Sequence, residues 1–94
     1  MENYYQSIDI EEFSEWYFFK EKKTFTTKEL DRLTSRIDIN SLRLEKDDTL
    51  VVFFKKGKKY SIAKFADDWF IVDQHRKAWK CDGFRAVIKL LDDI

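Results

Sequence analysis

The hydrophobic pattern of the first third of the chain predicts two helices. The first begins after Asp9, whose side chain is placed to cap the free amides with Glu12 as its capping-box partner, and it runs over about residues 10–22. Its apolar side chains cover more than one stripe, so this helix is either sandwiched or presents rings to a partner. These side chains are Phe13, Trp16, Tyr17, Phe18 and Phe19. The second helix is capped by Thr26 with Glu29, and its buried edge consists of Leu30, Leu33 and Ile37.

From residue 41 the apolar period changes to that of strands. The pattern predicts an edge strand near 42–45, a central strand at 49–54, and further strands at 59–65, 69–73 and 78–81. The short connections between them indicate an antiparallel meander. A closing helix follows, capped by Asp82.

The chain is therefore predicted to be a single α+β domain over residues 1–94. It comprises two N-terminal helices, a four- or five-stranded antiparallel meander, and a C-terminal helix packed on the sheet. We expect the helices to cover one face of the sheet. Their contributing residues are Phe13, Tyr17, Leu30, Leu33, Phe84, Val87, Ile88 and Leu91.

The opposite face of this sheet is the open question. Side chains alternate between the two faces of a strand. If Val52, Phe54 and Ile62 point inward, the neighbouring positions therefore point outward. Those positions are Val51, Phe53, Ala63 and Phe65. A surface this apolar requires a second covering layer, a homodimer or a partner.

Composition supports a folded chain in a reducing compartment. Aromatic residues make up 17% of the sequence, which favours a core despite 38% charged residues. The single cysteine excludes an intramolecular disulfide, and the chain starts with neither a signal-peptide pattern nor a membrane-length apolar run. We expect a cytoplasmic protein without a membrane segment.

Charge concentrates at one place, a hairpin turn around Gly57. Four lysines flank that glycine: Lys55, Lys56, Lys58 and Lys59. Although the net charge is zero, residues 1–48 hold 8 basic and 12 acidic groups, and residues 49–94 hold 10 and 6. The second half is therefore the side expected to face anions.

No constellation for catalysis or metal binding is evident. His75 and Cys81 are the only histidine and the only cysteine, with no third group to orient them, and a zinc site needs more ligands. The aspartate pairs at 47–48, 67–68 and 92–93 match no EF-hand spacing, and no glycine-rich phosphate loop exists. We expect no catalytic residue, metal, cofactor or small-molecule substrate.

The pattern thus favours a non-catalytic macromolecular interaction module that binds a protein partner or itself. An accessory or inhibitory protein of a virus or mobile element is one setting for such a chain. The expected contacts are the apolar face, with Val51, Phe53 and Phe65, and the hairpin, with Lys55, Lys56, Lys58, Lys59 and Tyr60. The alternative is nucleic-acid binding, with the lysines on phosphates and Tyr60 stacking on a base.

That alternative resembles a winged helix or a β-ribbon, although residues 38–46 are too strand-like for a recognition helix. A third interpretation is that the lysines only keep the hairpin soluble.

Overall fold

The computed structural model describes residues 4–94, which form three helices and six strands. In chain order they are β1 (Tyr5–Ile8), α1 (Ile10–Phe19), α2 (Thr27–Thr34), β2 (Asp38–Glu45), β3 (Leu50–Lys55), β4 (Lys58–Lys64), β5 (Asp68–Asp73), β6 (Ala78–Asp82) and α3 (Phe84–Asp93). All strands belong to one antiparallel sheet with the order β1-β6-β5-β4-β3-β2. The α+β class and the meander are confirmed. The predicted count of four or five strands is wrong, because Tyr5–Ile8 adds a sixth strand by pairing with β6.

The helix ends agree with the sequence prediction only in part. At α2 the capping box is complete: Thr26 Oγ1 accepts the Glu29 N–H at 3.2 Å, and Glu29 Oε1 accepts the Thr26 N–H at 2.8 Å. Asp9 occupies the N-cap of α1, but its side chain makes no capping hydrogen bond. Asp82 ends β6, and Gly83 is the N-cap of α3 with a φ of 92° that suits glycine.

The helices cover both faces of the sheet, so the prediction that they cover one face is wrong. α2 and α3 pack on one face, over a core that includes Val51, Phe53 and Ile62. α1 packs on the other face, over Ala63, Phe65 and Phe70. The chain reaches that second face because α1 directly follows the edge strand β1.

The register also overturns the predicted outward-facing apolar surface. Val51 pairs with Ile62 and Val52 with Ser61, so Ile62 shares its face with Val51. Burial is complete within one chain: Val51 and Phe53 are 0% exposed, and Ala63 and Phe65 are 1% exposed. Helices of the same chain therefore supply the covering layers. α1 covers Ala63 and Phe65, and α2 with α3 covers Val51 and Phe53.

No membrane-spanning element is found among the described residues. Within residues 4–94, none of the three helices combines the length and the apolar content that crossing a bilayer requires.

Candidate functional site

The β3–β4 hairpin closes on a two-residue turn of Lys56 and Gly57. Both residues have positive φ, 52° and 79°, as a type I′ turn requires, and the flanking Lys55 and Lys58 are cross-strand partners. Glycine at the second turn position removes the steric cost of that conformation. The hairpin tip is therefore a well-defined turn that holds its lysines at the end of the sheet.

Lys55 does not belong to the exposed tip, contrary to the sequence prediction. Its Nζ donates a hydrogen bond to the carbonyl oxygen of Leu91 in the last turn of α3. A lysine there satisfies a free carbonyl and interacts favourably with the negative end of the helix dipole. Burial, together with the neighbouring charge of Lys56, lowers the pKa of Lys55. This hydrogen bond joins the C-terminal end of α3 to the hairpin.

Tyr60 is also a core residue, so it is not the stacking ring predicted for nucleic acid. Only 5% of Tyr60 is exposed, and its ring stacks on Phe53 with 5.7 Å between centroids. Burial, and then the charge of Asp73, raises the pKa of Tyr60. The other predicted contact residues, Val51, Phe53 and Phe65, are buried in the same way. Of the eight predicted contacts, only the lysines Lys56, Lys58 and Lys59 are exposed.

A second basic turn lies beside the hairpin tip. Tyr60 pairs with Asp73, and the backbone N–H of Lys59 donates to Gln74 Oε1 at 3.3 Å, which joins the two turns. Asp73 Oδ1 accepts the N–H groups of His75 at 2.8 Å and Lys77 at 2.9 Å, so its carboxylate orders the turn. We call the exposed cations of the two turns the basic tips. They are Lys56, Lys58, Lys59, Arg76 and Lys77.

The sequence prediction of contact residues did not include Arg76 and Lys77, which lie between the strands predicted at 69–73 and 78–81. The signal was present: turns of a meander alternate between the two ends of the sheet, so the β3–β4 and β5–β6 turns share an end. The turns at the opposite end are acidic, with Asp47 and Asp48 between β2 and β3, and Asp67 next to β5. The contrast in charge is confined to these turns, because the exposed Asp9 and Asp38 lie at the same end of the sheet as the basic tips.

Cys81 and His75, the two residues considered for nucleophilic catalysis, lie in different surroundings. Cys81 is fully buried in β6, and burial raises the pKa of its thiol to about 12, which keeps it protonated and unreactive. His75 is exposed in the β5–β6 turn. No group of three or more potential ligands among His, Cys, Asp and Glu occurs within residues 4–94.

Comparisons with protein-family models, curated proteins and solved structures find no match to this chain.

Proposed function

We propose that this protein is a non-catalytic interaction module whose basic tips bind an acidic surface of a protein partner. The supporting observation is the convergence of five exposed cations on two hydrogen-bonded turns. Because the turns are ordered before binding, little conformational entropy is lost when a partner docks. Charges of one sign on neighbouring turns also steer an anionic partner toward the two turns.

An acidic protein surface suits the basic tips better than nucleic acid does. Nucleic-acid-binding domains usually carry an excess of basic residues, whereas this chain has 18 basic and 18 acidic residues. The ring nearest in sequence to the tips, Tyr60, is buried and unavailable for stacking on a base. A protein partner requires only a few complementary carboxylates on its own surface.

Reversing the tip lysines is expected to abolish binding to an acidic probe. Fluorescence anisotropy of labelled poly-L-glutamate at low salt measures the affinity of the wild type and of the Lys56→Glu/Lys58→Glu/Lys59→Glu variant. The variant should lose binding because three cations become three repelling anions. Its fold should persist, since exposed substitutions change the free energy of unfolding by about 0.5 kcal/mol or less each.

A matched control separates the site from total charge. Lys28, Lys46 and Lys89 are exposed and lie outside the basic tips, and reversing them changes the net charge by the same amount. This control should retain most of the wild-type affinity. Equal loss in both variants would show that binding follows net charge and would refute the proposed site.

Nucleic-acid binding is the second candidate, favoured by the position of Phe54. This half-buried ring pairs with Lys59 across β3 and β4, so an aromatic surface lies next to a tip cation. Five neutralised phosphates would give a log–log salt slope of about −3.5 to −4.5. Titration of mixed-sequence single- and double-stranded oligonucleotides at several salt concentrations measures this slope. A flat response, or no binding at low salt, would eliminate this candidate.

A further inference from the structure

The outer face of α1 carries the largest exposed apolar side chains among the described residues. Phe18 and Phe19 are adjacent in the chain, and they are 78% and 83% exposed, respectively. They continue a solvent-facing stripe, because Glu11, Glu12 and Glu15 precede them at helical spacings of three, four and seven residues. The opposite stripe of α1, with Phe13, Trp16 and Tyr17, packs on the sheet. The phenylalanine pair is therefore a surface feature that the core does not use.

The charges along this stripe change sign at the phenylalanine pair. Glutamates occupy its N-terminal half, and the segment that follows the end of α1 at Phe19 holds three lysines and one glutamate, Lys20, Glu21, Lys22 and Lys23. Lys22 stabilises the helix end by donating to the Tyr17 carbonyl at 2.8 Å, Lys23 pairs with Glu21 at 3.6 Å, and Lys20 is exposed. This segment keeps a net positive charge, opposite to that of the glutamates. When two copies of such a segment run antiparallel, the acidic part of each lies opposite the basic part of the other, and the aromatic residues meet in the middle.

We propose that α1 mediates a symmetric dimer in which two copies pair these helices antiparallel, with Phe18 and Phe19 meeting Phe18 and Phe19 of the second copy at the two-fold axis. In this arrangement the glutamates of each copy face the lysines of the other. Self-complementarity of this kind is what a two-fold interface requires. A parallel arrangement would place like charges opposite each other.

A second copy fits this surface through its charges and its shape. One surface concavity is lined largely by polar side chains, Gln6, Asp68, Lys80 and Asp82, together with Tyr4 and Tyr5. In the proposed dimer the rings meet each other, and each brings about 150–250 Å² of largely apolar surface. Standard interfaces bury about 800 Å² per copy, so the charged stripe must supply the remainder and the dimer should be a weak one.

The two-fold axis of this dimer lies at the end of α1 away from the basic tips, because the other end of α1 follows Ile8, whose partner Ala78 adjoins the β5–β6 turn. The C-terminal end of α1 leads to Lys23, whose N–H donates to the Lys64 carbonyl at 2.8 Å, at the end of β4 away from the tips. Each dimer would then present two sets of tips to a partner with repeated acidic sites, which raises avidity.

Sedimentation velocity over a wide concentration range tests this dimer. The wild type should show a concentration-dependent monomer–dimer equilibrium, and Phe18→Ser/Phe19→Ser should remain monomeric at every concentration. The matched control is Ile39→Ser/Leu44→Ser, which removes two other exposed apolar side chains, 57% and 41% exposed, on the edge strand β2. A monomeric wild type, a dimeric Phe18→Ser/Phe19→Ser variant, or a monomeric control would each overturn the proposal.

The antiparallel arrangement has its own test. Glu12→Lys/Glu15→Lys makes the stripe basic, and Lys20→Glu/Lys23→Glu makes it acidic. The dimer affinity of each variant alone should therefore fall by about tenfold or more. Mixing the two should restore dimerisation as a heterodimer, detected when only one variant carries a fluorophore. A parallel pair already places like charges opposite each other, so unweakened dimerisation of the single variants would refute the antiparallel pairing. Failure of the mixture to associate, with both variants folded by circular dichroism, would also refute it.

Discussion

Replacing Phe70 with alanine is expected to lower the free energy of unfolding by about 3–5 kcal/mol. Phe70 is 0% exposed and forms the centre of the contact between α1 and the sheet. Its ring lies 5.8 Å from that of Phe13, 5.2 Å from Trp16 and 5.4 Å from Phe65, measured between centroids. Alanine would leave a cavity under α1 and remove three aromatic contacts at once. Urea unfolding followed by circular dichroism measures the change.

Phe18→Ala is the matched control for this prediction. The two substitutions delete the same atoms, but Phe18 is 78% exposed, so its loss should change the free energy of unfolding by about 0.5 kcal/mol or less at concentrations where the protein is monomeric. Equal effects of the two substitutions would contradict the packing of α1 over Phe70.

Alkaline pH is expected to destabilise the protein through Cys81. Burial raises the pKa of this thiol from 9.0 to about 12 in the folded state. A folded-state pKa above the unfolded value means that the stabilising contribution is complete below pH 9 and is lost as the pH rises toward 12. The loss approaches about 1.4 kcal/mol per pH unit, or about 4 kcal/mol over the whole interval.

The Cys81→Ala variant isolates this effect, because every other titrating group stays in place. At neutral pH the variant should be less stable than the wild type by about 1 kcal/mol, since a packed sulfur is lost. Above pH 9 the difference should shrink and then change sign, because only the wild type has a thiol that ionises on unfolding. Urea unfolding of both proteins from neutral to alkaline pH measures the difference. A difference that stays constant with pH would mean that the thiol is not desolvated.

Local signals were sufficient where a short segment determines its own structure. The capping box of Thr26 and Glu29 and the glycine turn at Gly57 are such cases, since backbone hydrogen bonding and positive φ are properties of a few consecutive residues. The alternation of the remaining strands and their short connections were likewise enough to predict the meander. β1 was missed because four residues near the N-terminus become a strand only by pairing with β6, which is distant in sequence.

The faces of the sheet could not be derived from the sequence because the central strand is apolar on both sides. Polar and apolar residues do not alternate in 50–54, so a shift of one residue exchanges the faces of Val51 and Val52. The prediction placed Ile62 on the face of Val52, whereas Ile62 shares its face with Val51. The same difficulty affected the candidate site. Lys55 looks like any other tip lysine until α3 is packed against the hairpin and provides the Leu91 carbonyl. Arg76 and Lys77 join the site only through the pairing of β4 with β5.

Site-specific photo-crosslinking tests the proposed function most directly. A photoreactive amino acid at position 58 or 76 places the probe on the basic tips, and one at position 67 places it in an acidic turn at the opposite end of the sheet. In cells that produce the protein naturally, we expect a crosslinked partner protein from positions 58 and 76 and none from position 67. Crosslinks from position 67 alone, or nucleic acid as the adduct at the tips, would contradict it.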